Sequence, residues 1–234
     1  MKYAIIAAGE GSRLAAEGIE SPKPLVRVGG ECLVDRLIRI FMQHDAEEIV
    51  CICNDRTPCV ASHLTDLQRN GLYGHSVPLR LVVKSTPSSM HSFYEISPYL
   101  QDSPFVLTTV DTMFRESEFT QYIAAFRQCA GEALMGVTSY VDDERPLYVE
   151  TDERMNVTAF LDRADHCRYI SAGIYGLPPS AVQTVANCVA RSEQRMRNFQ
   201  RALLTDGLTV RAWAFSKVFD IDHASDIQKV EAFL

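Results

Sequence analysis

The chain lacks any apolar run long enough to cross a bilayer, and it lacks a long basic stripe. The first absence excludes a membrane-spanning helix. The second, with a formal net charge of −7, argues against generic affinity for nucleic acid or for a membrane surface. Paired cysteine spacing is missing too: there are seven cysteines, an odd number, and no C-x-x-C occurs. Buried free thiols in a reducing cytoplasm are therefore expected, with Cys51 and Cys53 two apart on one face of a strand. The histidines, at 44, 63, 75, 91, 166 and 223, show no metal spacing, and no Ser/His/Asp or Cys/His pairing is legible. Met-Lys-Tyr-Ala runs straight into a core strand, so no signal peptide is expected and the expected location is cytoplasmic. There is no internal repeat, low-complexity tract or linker, and the 234 residues are read as one domain, 1–234.

What the chain does have begins at its third residue. Tyr3-Ala4-Ile5-Ile6-Ala7-Ala8 is a short apolar run of the kind that forms a buried parallel strand. It opens directly into Gly9, Gly11 and Ser12, where glycines let a ligand come close and successive N–H groups can form an anion-binding concavity. Arg13 adds a planar charged fork suited to phosphate oxygens, and Lys23 a mobile point charge. Together these describe a triphosphate cradle. A dinucleotide-binding fingerprint would want a third glycine where Leu14 stands, and a Walker loop would want Gly-Lys-Ser/Thr, which is absent.

Along the chain, apolar periodicity predicts helices over 33–44, 58–70 and from about Met90 to before Pro98, and strands over 47–53, 79–83 and 104–110. Alternation of strand and helix implies a parallel sheet with right-handed crossovers, with ligands beyond the carboxyl ends of the strands. Gly9 to Arg13, Ser85 to Ser89 and Asp111 then point to one crevice. The second half reads as a strand over 132–140, a hairpin of 147–151 with 156–161, and a strand over 169–177. Helices follow over 179–190 and 193–204, then a strand over 209–215 and a helix over 222–233. Asp111 follows a strand with apolar residues behind it. Such a residue can cap a turn, or it can serve as a carboxylate ligand for Mg²⁺ beside phosphates.

Ala-Ala-Gly-x-Gly-Ser-Arg-Leu at 7–14, followed by Pro-Lys-Pro-Leu at 22–25, resembles the signature of the nucleotidyltransferases that make NDP-sugars and related activated head groups. The resemblance implies an α/β fold, a Rossmann-like three-layer sandwich with a mainly parallel mixed central sheet. Residues 1–115 would form the nucleotide half and 116–234 the acceptor half. It implies a Mg²⁺-dependent enzyme whose partners are an NTP and a small phosphomonoester such as a sugar 1-phosphate, with room for a homo-oligomer. Arg13 and Lys23 would be catalytic, and Ala8, Gly9, Gly11, Ser12, Ser88 and Ser89 would bind the nucleotide. Asp111 matches the family's metal-binding Asp. Phe219-Asp220-Ile221-Asp222 resembles its closing acidic segment, and extended geometry would turn Asp220 and Asp222 to one face, so both could reach one ion. Asp222 is the preferred ligand, as in related cytidylyltransferases. Phe160-Leu161-Asp162-Arg163 resembles the strand ending in Glu-Lys-Pro, which would give Arg163 the acceptor phosphate. Ser171-Ala172-Gly173-Ile174-Tyr175 resembles an acceptor-side strand, where Gly173 would admit the ligand or mark a bulge. Pro146-Leu147-Tyr148 stands where sugar-specific members show Tyr-Gly, and Ser88-Ser89 where many place Gly beside the base. Two other readings stand beside the NDP-sugar synthase: a cytidylyltransferase for phosphocholine or a similar head group, and a silent relative that binds nucleotide-sugar as a regulator.

Overall fold

The computed structural model describes residues 1–141, 145–163 and 167–234; of the residues singled out above, only His166 lies outside them. The opening apolar run forms β1 (Lys2–Ala7), and the glycine segment turns into a short helix, α1 (Ser12–Ala16). A small hairpin of β2 (Arg27–Val28) and β3 (Glu31–Cys32) turns at Gly29-Gly30 and leads into α2 (Leu33–Gln43). Then come β4 (Glu48–Cys53), α3 (Pro58–Asn70), β5 (Leu79–Val83), α4 (Ser89–Ile96) and β6 (Phe105–Thr109). The second half opens with β7 (Thr112–Met113), α5 (Glu116–Arg127) and β8 (Ala133–Thr138). The hairpin of β9 (Tyr148–Thr151) and β10 (Val157–Leu161) follows, and then β11 (Tyr169–Leu177). The chain closes with α6 (Ala181–Ala190), α7 (Met196–Thr205), β12 (Val210–Phe215), β13 (Phe219–Asp220) and α8 (Ala224–Phe233).

The strands order as β10-β9-β11-β6-β1-β4-β5, with β8 against β11 and β12 against β8. β6, β1, β4 and β5 run parallel, and β11 enters antiparallel to β6. Along β1 the period of two divides the core. Tyr3 and Ile5 face α2, α3, α5 and α8, whereas Ala4 and Ile6 face α4, α6 and α7. A strand buried on both faces has to read as an unbroken apolar run, and β1 does. The result is the three-layer α/β sandwich expected from the sequence. Cys51 and Cys53 fall together in the first layer, and burial pushes the Cys53 thiol up to about 11 and the Cys188 thiol up to about 12. Such thiols are protonated at neutral pH.

α1, the β2–β3 hairpin, α5 and the β7–β13 pair stand outside the sequence expectations. α5 occupies 116–127, although Phe119, Tyr122, Ile123 and Phe126 carry the i, i+3, i+4, i+7 spacing of a helical face and are buried. β7 and β13 pair antiparallel, Thr112 opposite Asp220 and Met113 opposite Phe219. Two-residue strands carry no periodicity by which a sequence could show them. β6 also stops at Thr109, so that Asp111 sits in the turn beyond it. No helix of the described residues is long and apolar enough to cross a membrane.

Candidate active site

β1, β4, β5 and β6 end side by side, and each is followed by polar residues. Ala8 to Arg13 follow β1, Asn54 and Arg56 follow β4, Ser85 to Ser89 follow β5, and Asp111 follows β6; all line one cleft of about 690 Å³. The nucleotide candidates Ala8, Gly9, Gly11, Ser12, Ser88 and Ser89 therefore share this cleft with Arg13, Lys23, Asp111 and Asp222. Gly11 has φ of +61°, and a Cβ there would stand 3.2 Å from the Lys23 Cβ. Left-handed backbone and close packing of the lysine stem both call for glycine. Ser88 caps α4, its Oγ accepting from the His91 N–H at 3.4 Å.

Asn54 had no place among the sequence candidates. It is buried; its amide donates to the carbonyl of Ala8 at 3.2 Å, and its Oδ1 accepts from the N–H groups of Arg56 and Thr57 at 3.1 and 3.0 Å. It thereby ties the cradle's backbone to the turn after β4. An Asn directly after a strand is the signal that could have found it. Arg56 and Glu10 face each other across the same cleft and form an ion pair.

The acidic residues meet the cations at one edge of the cleft. Lys23 Nζ donates to Asp111 Oδ2 and, at 2.8 Å, to Asp222 Oδ1, while Arg13 Nη1 donates to Asp222 Oδ2 at 2.8 Å. Burial pulls the Lys23 pKa down, but Asp111 and then Asp222 outweigh it and leave the ammonium above its ordinary value. The fold sets this meeting through backbone. Beyond the β7–β13 pair, the Ile221 N–H donates to the Asp111 carbonyl at 3.2 Å, which lays the closing segment against the end of β6. Behind Asp222, Asp226 Oδ2 accepts from the N–H groups of Asp222 and His223 at 3.2 and 2.8 Å. Glu17, just past α1, contacts His223 Nδ1 at 2.5 Å and accepts from the Ala224 N–H at 2.7 Å. The cradle and the acidic segment are thus clamped to each other.

Arg13 and Asp222 also line a second cleft of about 500 Å³, with Tyr140, Arg145, Ser171, Ala172, Asp220 and Lys229 among its other walls. Asp220 and Asp222 both line this second cleft, on either side of the buried Ile221. β13 stops at Asp220, and from Asp222 the chain turns into the cap of α8. Asp222 goes to Lys23 and Arg13, whereas Asp220 lines only the second cleft, where the Thr112 hydroxyl donates to it at 3.4 Å. Gly173 lines neither cleft. It has φ of +71°, lies where the register of β11 on β8 shifts, and leaves room for Thr112 Oγ1, 3.2 Å from where its Cβ would be. Arg163 is exposed beyond the end of β10 and lines neither cleft; Arg145 is the residue that the structure brings to the second one.

The donor set fits a small hard cation. Asp111 and Asp222 present carboxylate oxygens to a single point, and no group of three or more His, Cys, Asp or Glu suited to a metal occurs among the described residues. Two carboxylates completed by water and phosphate oxygens is a Mg²⁺ arrangement, whereas a closed Zn²⁺ site would need four protein ligands.

Comparison with known proteins bears on both fold and family. The chain is 34% identical to the glucose-1-phosphate cytidylyltransferase of Salmonella typhimurium over 53 residues, 23% of this chain and 21% of that protein. The match therefore spans about a fifth of the relative's length. In fold it is similar to the inositol-1-phosphate CTP transferase from T. maritima, with a TM-score of 0.80 and 19% identity over 99% of this chain and 94% of that one. It is similar also to a Bacillus anthracis protein described as a glucose-1-phosphate thymidylyltransferase, with a TM-score of 0.84 and 20% identity over 100% and 94% of the two chains. The family resemblance of the glycine segment extends far past it: the nucleotidyl transferase family model matches residues 2–233, and the chain belongs to that family of enzymes.

Proposed function

We propose that the chain joins an NTP bound in the first cleft to a phosphomonoester bound in the second, releasing pyrophosphate. The observation that carries this reading is the shared edge: two clefts, of about 690 and 500 Å³, meet at Arg13 and Asp222. A reaction between two ligands needs such a junction, because holding both reactants in line supplies much of the acceleration. The N–H groups of Gly9 to Ser12 and the guanidinium of Arg13 hold the β- and γ-phosphates. Lys23 offers its ammonium to the α-phosphate as negative charge builds there. Mg²⁺ held by Asp111 and Asp222 would neutralise phosphate charge at the same place. An oxygen of the acceptor phosphate attacks the α-phosphorus in line, and the bond to pyrophosphate breaks. The two linings support a division into a nucleotide half (1–115) and an acceptor half (116–234), with Arg13 and Asp222 each lining both clefts.

For the acceptor, we favour a polyhydroxylated phosphate such as a sugar 1-phosphate. Tyr140, Arg145, Ser171 and Asp220 offer the second cleft hydroxyl, cationic and carboxylate groups. Recognition of phosphocholine calls for open aromatic faces. Here the Lys217 ammonium already lies over Tyr140 at 4.3 Å and over Phe219 at 5.7 Å. Arg145, which lines the second cleft where Arg163 does not, is the cation we favour for the acceptor phosphate. CTP is the nucleotide to expect first, since both a sequence relative and a structural relative are named for cytidyl transfer. The test is a pyrophosphate-release screen crossing four NTPs with sugar 1-phosphates, inositol 1-phosphate, phosphocholine and aminoethylphosphonate. Turnover with CTP and a sugar or inositol phosphate is expected; turnover confined to the amine head groups would overturn the acceptor reading.

A further inference from the structure

We propose that Lys23 is a built-in counter-cation that holds Asp111 and Asp222 together in the metal-free protein and must leave them when a divalent cation binds. The proposal rests on the reading of these two aspartates as the metal-binding pair.

Lys23 Nζ contacts one oxygen of each aspartate, so the ammonium stands at the point where their carboxylates converge. This point is sheltered: the side chains of Lys23 and Asp111 are 10% and 16% exposed, and that of Asp222 41%. Arg13 takes the other oxygen of Asp222. Two carboxylates are thus already balanced by two cations. A dication on the same oxygens would meet the ammonium at contact distance, where like charges repel strongly in a partly buried site. Without Lys23 the carboxylates would repel one another instead, which favours a cation between them or a proton on one of them.

The backbone around Lys23 is built to stay while the ammonium moves. Lys23 lies in a single 3₁₀ turn between Pro22 and Pro24, closed by the Leu25 N–H on the Pro22 carbonyl at 2.8 Å. The proline rings fix φ on both sides. Gly11 lies against the root of the lysine stem. What remains free is the far end of a flexible four-carbon chain, which opens onto the first cleft. Displaced from the aspartates, the ammonium moves among the groups proposed to hold the nucleotide's phosphates. Metal arrival and delivery of the lysine become one event.

The test measures Mn²⁺ affinity without nucleotide, by calorimetry and electron paramagnetic resonance, in the wild type, Lys23→Met and Lys23→Gln. Competition predicts that both variants bind Mn²⁺ about tenfold tighter than the wild type, within the ordinary range of coupling between two ligands. It also predicts a lower Tm in chelator and a larger Tm gain on adding metal. Equal or weaker Mn²⁺ binding in folded variants overturns the inference. Should the variants not fold, the wild type is treated with an amine-acylating reagent. Modification of Lys23 should rise several-fold with Mg²⁺ alone, and an unchanged rate overturns the inference. Wild-type protein that binds no divalent cation, with or without CTP, overturns the metal-pair reading itself. Normal wild-type binding with no gain in the variants overturns only the competition.

Discussion

Lys23 is the residue on which the proposed chemistry concentrates. Lys23→Ala should lower kcat/KM by roughly 10²-fold or more, since it removes a charge from where negative charge builds in the transition state. Steady-state kinetics on a variant shown to be folded checks this, and near-wild-type turnover would refute the role. The acidic partners divide more finely. Asp222 reaches Lys23 and Arg13, whereas Asp220 faces the second cleft. Asp222→Asn should therefore raise the Mg²⁺ concentration for half-maximal rate about tenfold or more, with Asp220→Asn changing it little. Asp220→Asn should act instead on the acceptor KM. Mg²⁺ titrations of turnover in both variants decide, and the reverse order would move the metal to Asp220.

At the scale of elements, the site depends on strands too short to contribute much core of their own. The β7–β13 pair sets the closing segment beside Asp111, and Glu17 ties α1 to the start of α8. These contacts position side chains, while burial along β1, β4 and β6 carries the stability. β11 couples the two roles, because it pairs with β6 on one side and β8 on the other and underlies α5. Gly176 is its tightest point: an added Cβ would stand 2.7 Å from a ring carbon of Phe126. Gly176→Ala should therefore cost about 1–3 kcal/mol of stability through overpacking. Urea unfolding checks the value, and a loss below measurement would mean that α5 shifts freely on the sheet.

In the whole molecule, the two clefts have separate walls and a common edge. Mutations in the walls should then separate kinetically. Arg56→Ala, at the nucleotide side, should raise the NTP KM several-fold and leave the acceptor KM unchanged. Arg145→Ala, at the other side, should do the reverse. Two-substrate kinetics with CTP and the best acceptor of the screen reads both constants, and parallel changes in the two would rule out the division. The same shared edge explains why Arg13 cannot be assigned to one ligand, since its guanidinium lines both clefts and holds Asp222 between them.

The sequence alone determined the cradle and the layout of the parallel core. Gly9 to Arg13 are contiguous, and an apolar strand running into glycines has one physical outcome at the carboxyl end of a buried parallel strand. Asp111 was legible for the same reason, since it follows β6 in the same sheet. α5 was equally legible from its spacing and had no expectation set on it. Tertiary structure decided what depends on contacts distant in sequence. The approach of Asp222 to Lys23 follows a two-residue strand pairing with residues about a hundred positions away, which no local period can express. The same holds for Glu17 under α8, and for Asn54 under the cradle. Arg145 rather than Arg163 reaches the second cleft because the hairpin of β9 and β10 carries Arg163 out to its exposed end. Gly173 has a left-handed backbone that makes room for Thr112, a side chain on another strand. Local sequence places the residues at the strand ends, and long-range pairing brings Asp222 to Lys23 and Arg13.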